Sequence, residues 1–322
     1  MVKFSSDVEA ADALAASYKN LKAEISKVVI GQDEVVRQVL TAIFCQGHTL
    51  LIGVPGLAKT LLVHTIATSL DLIFKRVQFT PDLMPSDIVG AETMDKERNF
   101  KFVKGPIFAN IVLADEINRT PPKTQAALLE SMQEYAVTIS GQRYELPRPF
   151  FVLATQNPIE QEGTYPLPEA QLDRFMFNIM LTYPSFKDEV EVVKTTTTDE
   201  PKTVGKILTG DEIQAYQHLV RRVPIADNVV EYAVMLANKT RPGIEGASSI
   251  AKDYLEWGAG PRASQYLVIG AKCNALLNGK YSPDIEDVQA IAKPVLRHRI
   301  VRNFKAEAEG ISVDDLIDRL VR

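Results

Sequence analysis

An apolar run that ends in a glycine loop, with a Lys-Thr pair at the head of the next helix, constrains this chain most. The run belongs to a predicted buried strand, Thr49–Ile52, and the loop is Gly53–Ala58. The pair, Lys59 and Thr60, begins a predicted helix that ends at Ser69. A strand, a glycine turn and a helix N-terminus in this order form a cradle whose backbone N–H groups face a polyphosphate. We expect Lys59 to contact the β- and γ-phosphates and Thr60 to bind Mg²⁺. The nucleotide-binding residues predicted here are Gly53, Val54, Pro55, Gly56, Leu57, Ala58, Lys59, Thr60 and Leu61.

Ala58 stands where the common form of this loop has glycine, immediately before the lysine. We therefore expect Gly53 and Gly56 to carry the positive φ angles of the turn, and Ala58 to lie where a methyl group is tolerated. Glycine turns between a strand and a helix also occur as plain connectors. The loop by itself therefore predicts nucleotide binding and no further chemistry.

Two acids at the end of a second apolar strand extend that prediction to hydrolysis. The strand ends at Ala114 and is followed by Asp115 and Glu116. Ligands of open parallel sheets bind at the carboxyl ends of the strands. Asp115 would hold Mg²⁺ there, directly or through water, and Glu116 would polarise the attacking water. A solvent-facing acidic strand end is common in isolation, but the upstream loop favours the catalytic interpretation.

Three polar residues farther along the chain complete the predicted site. Asn157 follows the next strand and could donate to the γ-phosphate and orient water, although Asn-Pro also favours a turn. Arg174 precedes the last strand and could stabilise transition-state charge, the alternative being an ion pair with Asp173 or Glu169. Arg262 opens a later helix and could tie the second half of the chain to the nucleotide. A helix-starting surface arginine is the equally weighted alternative for Arg262.

Strands alternate with helices before Pro184, and helical patterns, one of them over residues 285–297, dominate after it. This order predicts an α/β domain over residues 1–184, with a parallel sheet covered on both faces, and an all-α domain over residues 185–322. Thr80–Pro106 is predicted to be a helix interrupted by an inserted loop or hairpin at residues 90–105. Gly141-Gln142 predicts a second hairpin over residues 137–146.

The composition is that of a globular protein with a sizeable core, 46% apolar and 24% charged. A net charge of −5 and a pI of about 5.6 argue against a dedicated nucleic-acid binder. Cys45 and Cys273 are predicted to be buried free thiols in a reducing compartment. With no signal-peptide core and no apolar run long enough to span a membrane, we expect a cytoplasmic protein. The histidines lack metal-ligand spacing, and the basic run 297–303 is expected to be a solvated helix end.

Together these motifs resemble the AAA+ family and, within it, the MoxR group. Val29–Gln32 resembles the family's adenine-side loop, which adds Ile30 and Gly31 to the predicted nucleotide-binding residues. Residues 53–60 resemble the group's Walker A motif, including Ala58, and residues 113–134 its Walker B motif and following helix. The other matching segments are sensor 1 (154–158), the arginine-finger region (167–175), sensor 2 (260–264), the helix-2 insert (80–106) and the pre-sensor-1 insert (137–146).

The resemblance implies a P-loop NTPase fold, a parallel five-stranded αβα sandwich followed by an all-α lid domain. It implies ATP and Mg²⁺ as ligands, bound between adjacent subunits of a homo-hexameric ring. Arg174 would be a finger that acts in trans, and Arg262 a sensor arginine. The implied function is an ATP-driven chaperone that remodels, assembles or matures client proteins or inserts metal cofactors, a metal-chelatase subunit being a close variant. Members of the group often pair with a protein carrying a von Willebrand A domain, here a separate polypeptide.

The same residues also allow two other functions. A nucleic-acid-stimulated, helicase-like motor also fits a ring ATPase with inserted hairpins, but the acidic balance speaks against it. A nucleotide-gated binding module that does not hydrolyse would need neither Glu116 nor Asn157.

Overall fold

The computed structural model describes residues 4–94, 96, 98–159, 163–199, 202–245 and 247–322. Within them, helices and strands alternate in the first half of the chain and helices dominate the second. In chain order the elements are α1 (Asp7–Ile25), α2 (Asp33–Phe44), β1 (Thr49–Ile52), α3 (Lys59–Ser69), β2 (Phe74–Gln78), α4 (Pro85–Val89), β3 (Gly90–Met94), β4 (Phe100–Lys104), β5 (Ile111–Asp115), α5 (Pro122–Glu134), β6 (Ala136–Ile139), β7 (Gln142–Glu145), β8 (Phe151–Gln156), α6 (Glu169–Leu172), β9 (Phe177–Met180), α7 (Phe186–Thr196), α8 (Gly210–Arg222), α9 (Asp227–Lys239), α10 (Ser249–Tyr254), β10 (Leu255–Trp257), α11 (Pro261–Leu277), α12 (Ile285–Ala290), α13 (Ala292–Leu296), β11 (Val301–Arg302), α14 (Phe304–Ala308) and α15 (Val313–Val321).

A five-stranded sheet in the order β2-β5-β8-β1-β9 forms the centre of the first half. Every neighbouring pair is parallel, which confirms the predicted α/β sheet. Successive residues of a strand point to opposite faces, and Leu50 and Leu51 of β1 accordingly lie in two different apolar clusters. Val112 and Leu113 of β5 likewise lie in two different apolar clusters. The central strands carry apolar residues on both faces because helices cover both sides of the sheet.

Two short antiparallel hairpins leave the core where insertions were predicted. The first pairs β3 with β4, within the predicted range 90–105, of which residues 95 and 97 lie outside the described part. The second pairs β6 with β7. Its turn residues are Ser140 and Gly141, with φ angles of 49° and 81°, rather than the predicted Gly141-Gln142. Two consecutive positive φ angles are typical of a type I′ turn, whose twist matches that of the flanking strands.

The helical second half packs on α1 and α2, so that one apolar cluster runs through both halves of the chain. Its central helix, α11, contacts α1, α2, α8 and α9. The predicted helix over residues 285–297 is in fact two helices, α12 and α13, which meet at Ile291. Both cysteines are buried and free, as predicted, and burial raises the pKa of the Cys45 thiol. No helix among the described residues is long and apolar enough to cross a membrane.

The prediction of a solvated basic helix end at residues 297–303 is wrong. Arg297 donates to Asp314 at 2.6 Å and to the carbonyl of Asn178 at 3.0 Å. Arg299 is only 7% exposed. Sequence pattern marked these residues as polar, but their acceptors lie in distant segments that the fold brings next to them.

His48 is a core residue, and its environment keeps it neutral. Its Nδ1 accepts from the amide of Val152 at 3.0 Å, and its Nε2 lies 3.1 Å from the carbonyl of Met132, to which it donates. Burial lowers the pKa of His48 to about 4, against a small opposing effect of the Met132 carbonyl. The ring therefore links β8 to the end of α5 in one fixed tautomer.

Candidate active site

The glycine loop leaves β1 and ends at the first residue of α3, as the sequence predicted. Lys59 folds back so that its ammonium donates to the carbonyl of Gly53 within the same loop. Gln32 donates to the carbonyl of Leu57 at 3.1 Å, which ties the loop to the start of α2. Leu57 is itself buried and anchors the loop in the core. These contacts hold the loop in shape.

The backbone strain of the loop falls on different residues from those predicted. Gly56 has a φ of +86° as expected, but Gly53 has no positive φ, and Ala58 itself takes a φ of 53° and a ψ of 31°. This left-handed conformation costs a residue with a Cβ about 1–2 kcal/mol. Gly53 is required for space instead, since a Cβ there would lie 2.8 Å from the Cβ of Leu181, just past β9.

The adenine-side loop predicted from the resemblance lies against the linker helix α7. Gly31 has a φ of +74°, and a Cβ at this position would lie 2.8 Å from the Cβ of Asp188. Ile30 and Gly31 are therefore next to the element that leads into the second half of the chain. This contact gives the second half a direct connection to the nucleotide-binding face.

Asp115 and Glu116 lie at the carboxyl end of β5, and Thr155 of the neighbouring strand β8 fixes both. The Thr155 hydroxyl donates to Asp115 Oδ1 at 2.6 Å and accepts from the Glu116 amide at 2.8 Å. Glu116 has a φ of 59°, so the chain turns sharply between the two acids. Thr155 was not among the predicted site residues. Its place at the end of β8 becomes informative only once the sheet order shows that β8 adjoins β5.

Three more side chains that sequence reasoning missed contact the two carboxylates. Arg76 donates to Asp115 Oδ2 through Nε at 3.0 Å and Nη2 at 2.6 Å. Gln78 donates to Glu116 Oε2 at 2.8 Å, and Arg119 donates to the same oxygen at 3.0 Å. Arg76 and Gln78 come from β2, which pairs with β5 in register. These contacts therefore fix the orientation of both carboxylates.

The side-chain amide nitrogen of Asn157 is a buried hydrogen-bond donor whose acceptor is not among the described residues. The residue is 5% exposed, its Oδ1 accepts from the amide of Ile159 at 3.2 Å, and its buried Nδ2 has no protein partner among the described residues. An unsatisfied buried donor costs about 1–3 kcal/mol, so such groups commonly await a ligand or water. The donor set of this edge, which is two carboxylates, a threonine hydroxyl, an amide and a lysine, fits a magnesium-bound polyphosphate.

Arg174 and Arg262 lie at the other edge of the sheet. β1 and β9 run parallel, Thr49 pairs with Phe177, and Ile52 pairs with Met180. The glycine loop follows the carboxyl end of β1, whereas Arg174 precedes the amino end of β9. The four-residue strand puts about 10 Å between these edges before the loops are counted. Arg262 lies with Arg174, because its Nη1 is 3.5 Å from Asp173 Oδ2.

Arg174 does not form the ion pair with Asp173 or Glu169 that was its alternative role. Asp173 is instead paired with Arg262 and with Arg299, whose Nε lies 2.7 Å from Asp173 Oδ1. Among the described residues, the guanidinium of Arg174 has no hydrogen-bond or ion-pair partner. Its guanidinium is available to an acceptor from outside the chain.

Comparisons with known proteins agree with this geometry. The model of the ATPase family associated with various cellular activities (AAA) matches residues 48–177, and the AAA lid domain model matches residues 247–320. The chain is 41% identical to Chaperone MoxR1 of Mycobacterium tuberculosis, covering 97% of this chain and 84% of that protein. It is 31% identical to Protein MoxR of Methylorubrum extorquens, covering 90% of each. A crystal structure of a protein from Cytophaga hutchinsonii matches 98% of this chain and 96% of its own, with a TM-score of 0.89 and 43% identity.

Proposed function

This chain belongs to the MoxR family of AAA+ ATPases, and we propose that it uses ATP hydrolysis, in a ring of identical subunits, to remodel, assemble or mature client proteins. The Asn157 amide nitrogen, which has no protein partner among the described residues, carries the proposal together with the two fixed acids of β5. A plain connector loop would need neither that donor nor those carboxylates.

ATP is the substrate, and different residues at the carboxyl edge bind its phosphates, hold Mg²⁺ and activate water. The backbone of residues 53–58 and the ammonium of Lys59 bind the phosphates. Thr60 and Asp115 would hold Mg²⁺, which neutralises the charge of the phosphates when it is bound. Glu116 accepts a hydrogen bond from the attacking water and raises its nucleophilicity, and Asn157 orients that water or the γ-phosphate. Thr155 keeps Asp115 and Glu116 in this arrangement.

The two arginines at the amino edge complete the site of a neighbouring subunit. Neither Arg174 nor Arg262 lies on the edge that holds its own glycine loop. A head-to-tail interface, which closes into a ring, would bring this edge against the next subunit's nucleotide. An arginine at the γ-phosphate stabilises transition-state charge by about 10³–10⁵ in rate. We therefore assign both arginines a role in trans.

We place the division between the ATPase core and the lid at residues 184 and 185. Linker helix α7 follows this point and contacts the adenine-side loop through Asp188. The ring would then transmit the nucleotide-dependent movement of the lid to client proteins. Metal-cofactor insertion, a hexamer, a cytoplasmic location and a separate partner with a von Willebrand A domain belong to the same proposal. Pull-down with the ATP-trapped Glu116→Gln protein is the direct route to the client and partner.

Steady-state ATP hydrolysis of Glu116→Gln tests the catalytic assignment. The variant should bind ATP with wild-type affinity, because Lys59 and Thr60 are intact, and its turnover should fall about 10²–10⁴-fold. The matched control is Glu130→Gln, which removes the same charge from an exposed position on α5. Equal turnover in wild type and Glu116→Gln would overturn the assignment.

A further inference from the structure

The turn that carries Arg174 is bonded to the lid by one buried cation. Arg299 donates to the carbonyls of Asp173 at 3.0 Å, Phe175 at 2.6 Å and Met176 at 3.1 Å. It also donates to the carbonyl of Val295, on its own side of the contact. The neighbouring His298 donates to the Phe175 carbonyl at 2.9 Å. The backbone on both sides of Arg174 is thus held by the segment that follows α13.

Asp173 joins this contact to the second arginine of the site. One carboxylate oxygen accepts from Arg299 at 2.7 Å, and the other faces the guanidinium of Arg262 at 3.5 Å. The Arg299 guanidinium also lies over the ring of Tyr266, 5.0 Å from its centroid, one turn along α11 from Arg262. Arg174, Asp173, Arg262 and Arg299 therefore form one connected unit that spans core and lid.

The distribution of charge in this unit suits a two-cation contact with phosphate. Arg262 and Arg299 share the carboxylate of Asp173, and Arg174 is the next residue along the chain. Arg174 is left without an anionic partner in the described part of the chain. Without Asp173, the Arg262 and Arg299 guanidinium groups would repel each other, and Arg262 would lose the contact that keeps it beside Arg174.

We propose that Asp173 and Arg299 are positioning residues that hold Arg174 and Arg262 together as a preassembled pair for a neighbouring subunit's ATP. This inference rests on the proposed function, in particular on the trans role of the two arginines. It adds that the lid controls the finger, since Arg299 fixes the Arg174 turn to the lid. Movement of one subunit's lid then changes the positions of Arg174 and Arg262 at the next subunit's nucleotide site.

Mixed assemblies separate this role from simple stabilisation. Lys59→Ala subunits cannot use their own site and serve only as arginine donors, and Arg174→Ala subunits serve only as nucleotide acceptors. Asp173→Asn is added either to the donor or to the acceptor, and ATP hydrolysis of each mixture is compared with the parent mixture. We expect the recovered rate to fall about a hundredfold with the change in the donor, as for a misplacement of about 1 Å. With the change in the acceptor the recovered rate should stay near that of the parent mixture.

Arg299→Lys in the donor gives a second test that keeps the charge. Lysine has three N–H donors and cannot replace the hydrogen bonds that Arg299 makes to four carbonyls and a carboxylate, so the same donor-specific loss is expected. Arg302→Lys is the matched control, because Arg302 donates to the Ile311 carbonyl at 2.8 Å and not to the Arg174 turn. Melting curves of the single variants check that the subunits are folded.

The outcomes separate the two proposals. If the parent mixture recovers activity but Asp173→Asn acts equally in donor and acceptor, or in neither, the positioning role is wrong. If the parent mixture recovers nothing at any ratio, trans action itself fails and the positioning role fails with it.

Discussion

Replacement of His48 by glutamine should flatten the acid dependence of stability. Glutamine can accept from the Val152 amide and donate to the Met132 carbonyl, as His48 does, but it does not titrate. Folded His48 has a pKa of about 4, below the ordinary value of 6.5 for histidine. As the pH falls below 6.5, the unfolded chain binds a proton that the folded chain rejects. The contribution of His48 is therefore fully present above pH 6.5 and is lost toward pH 4.

The size of the effect follows from linkage. Each pH unit in this window costs about 1.4 kcal/mol, so the full difference in pKa is equivalent to about 3 kcal/mol. Between pH 7.5 and 5.5 the wild type should lose about 1.4 kcal/mol more than His48→Gln. Urea unfolding at a series of pH values measures both proteins, and their difference removes other titrating groups such as His298, whose pKa burial also lowers. Parallel pH profiles for the two proteins would refute this account of His48.

Two further substitutions test the geometry of the site. Gly53→Ala should destabilise the fold by about 1–3 kcal/mol and weaken ATP binding, because the new Cβ would meet Leu181 at 2.8 Å. Gly243→Ala, in open space, is the control, and equal melting temperatures and ATP affinities for the two variants would contradict the packing argument. Thr155→Val should lower turnover at least tenfold, since Asp115 loses a donor and the Glu116 amide loses its acceptor, at a cost of about 1–3 kcal/mol. Wild-type turnover in Thr155→Val would show that this hydroxyl does not orient the acids.

The nucleotide-binding edge was largely predictable because its signals are local. β1 and α3 have the predicted bounds, Thr49–Ile52 and Lys59–Ser69, since a buried strand, a glycine turn and a helix start each leave a distinct pattern. The conformation of Ala58 was not predictable in this way. Its positive φ depends on how the loop meets the rest of the fold, and the sequence shows only that a glycine is absent.

The sequence did not predict the roles of residues that depend on the order of the strands or on contact between the two halves of the chain. Arg76 and Thr155 reach Asp115 only because β2 and β8 flank β5, an order that strand patterns do not encode. Arg299 lies in the run that its sequence pattern predicts to be solvated, and its carboxylate partner Asp173 is 126 positions away. A polar residue far from its acceptor gives no periodic signal, so its burial became visible only in the folded chain.

ATP hydrolysis in mixtures of Lys59→Ala and Arg174→Ala subunits tests the central claim, a site shared between neighbours, most directly. Each variant alone should be inactive. In a closed ring with head-to-tail interfaces, random mixing of equal amounts should restore about a quarter of the interfaces, with the rate rising and falling as the ratio is varied. Absence of recovery at every ratio, with both variants assembled, would contradict the shared site.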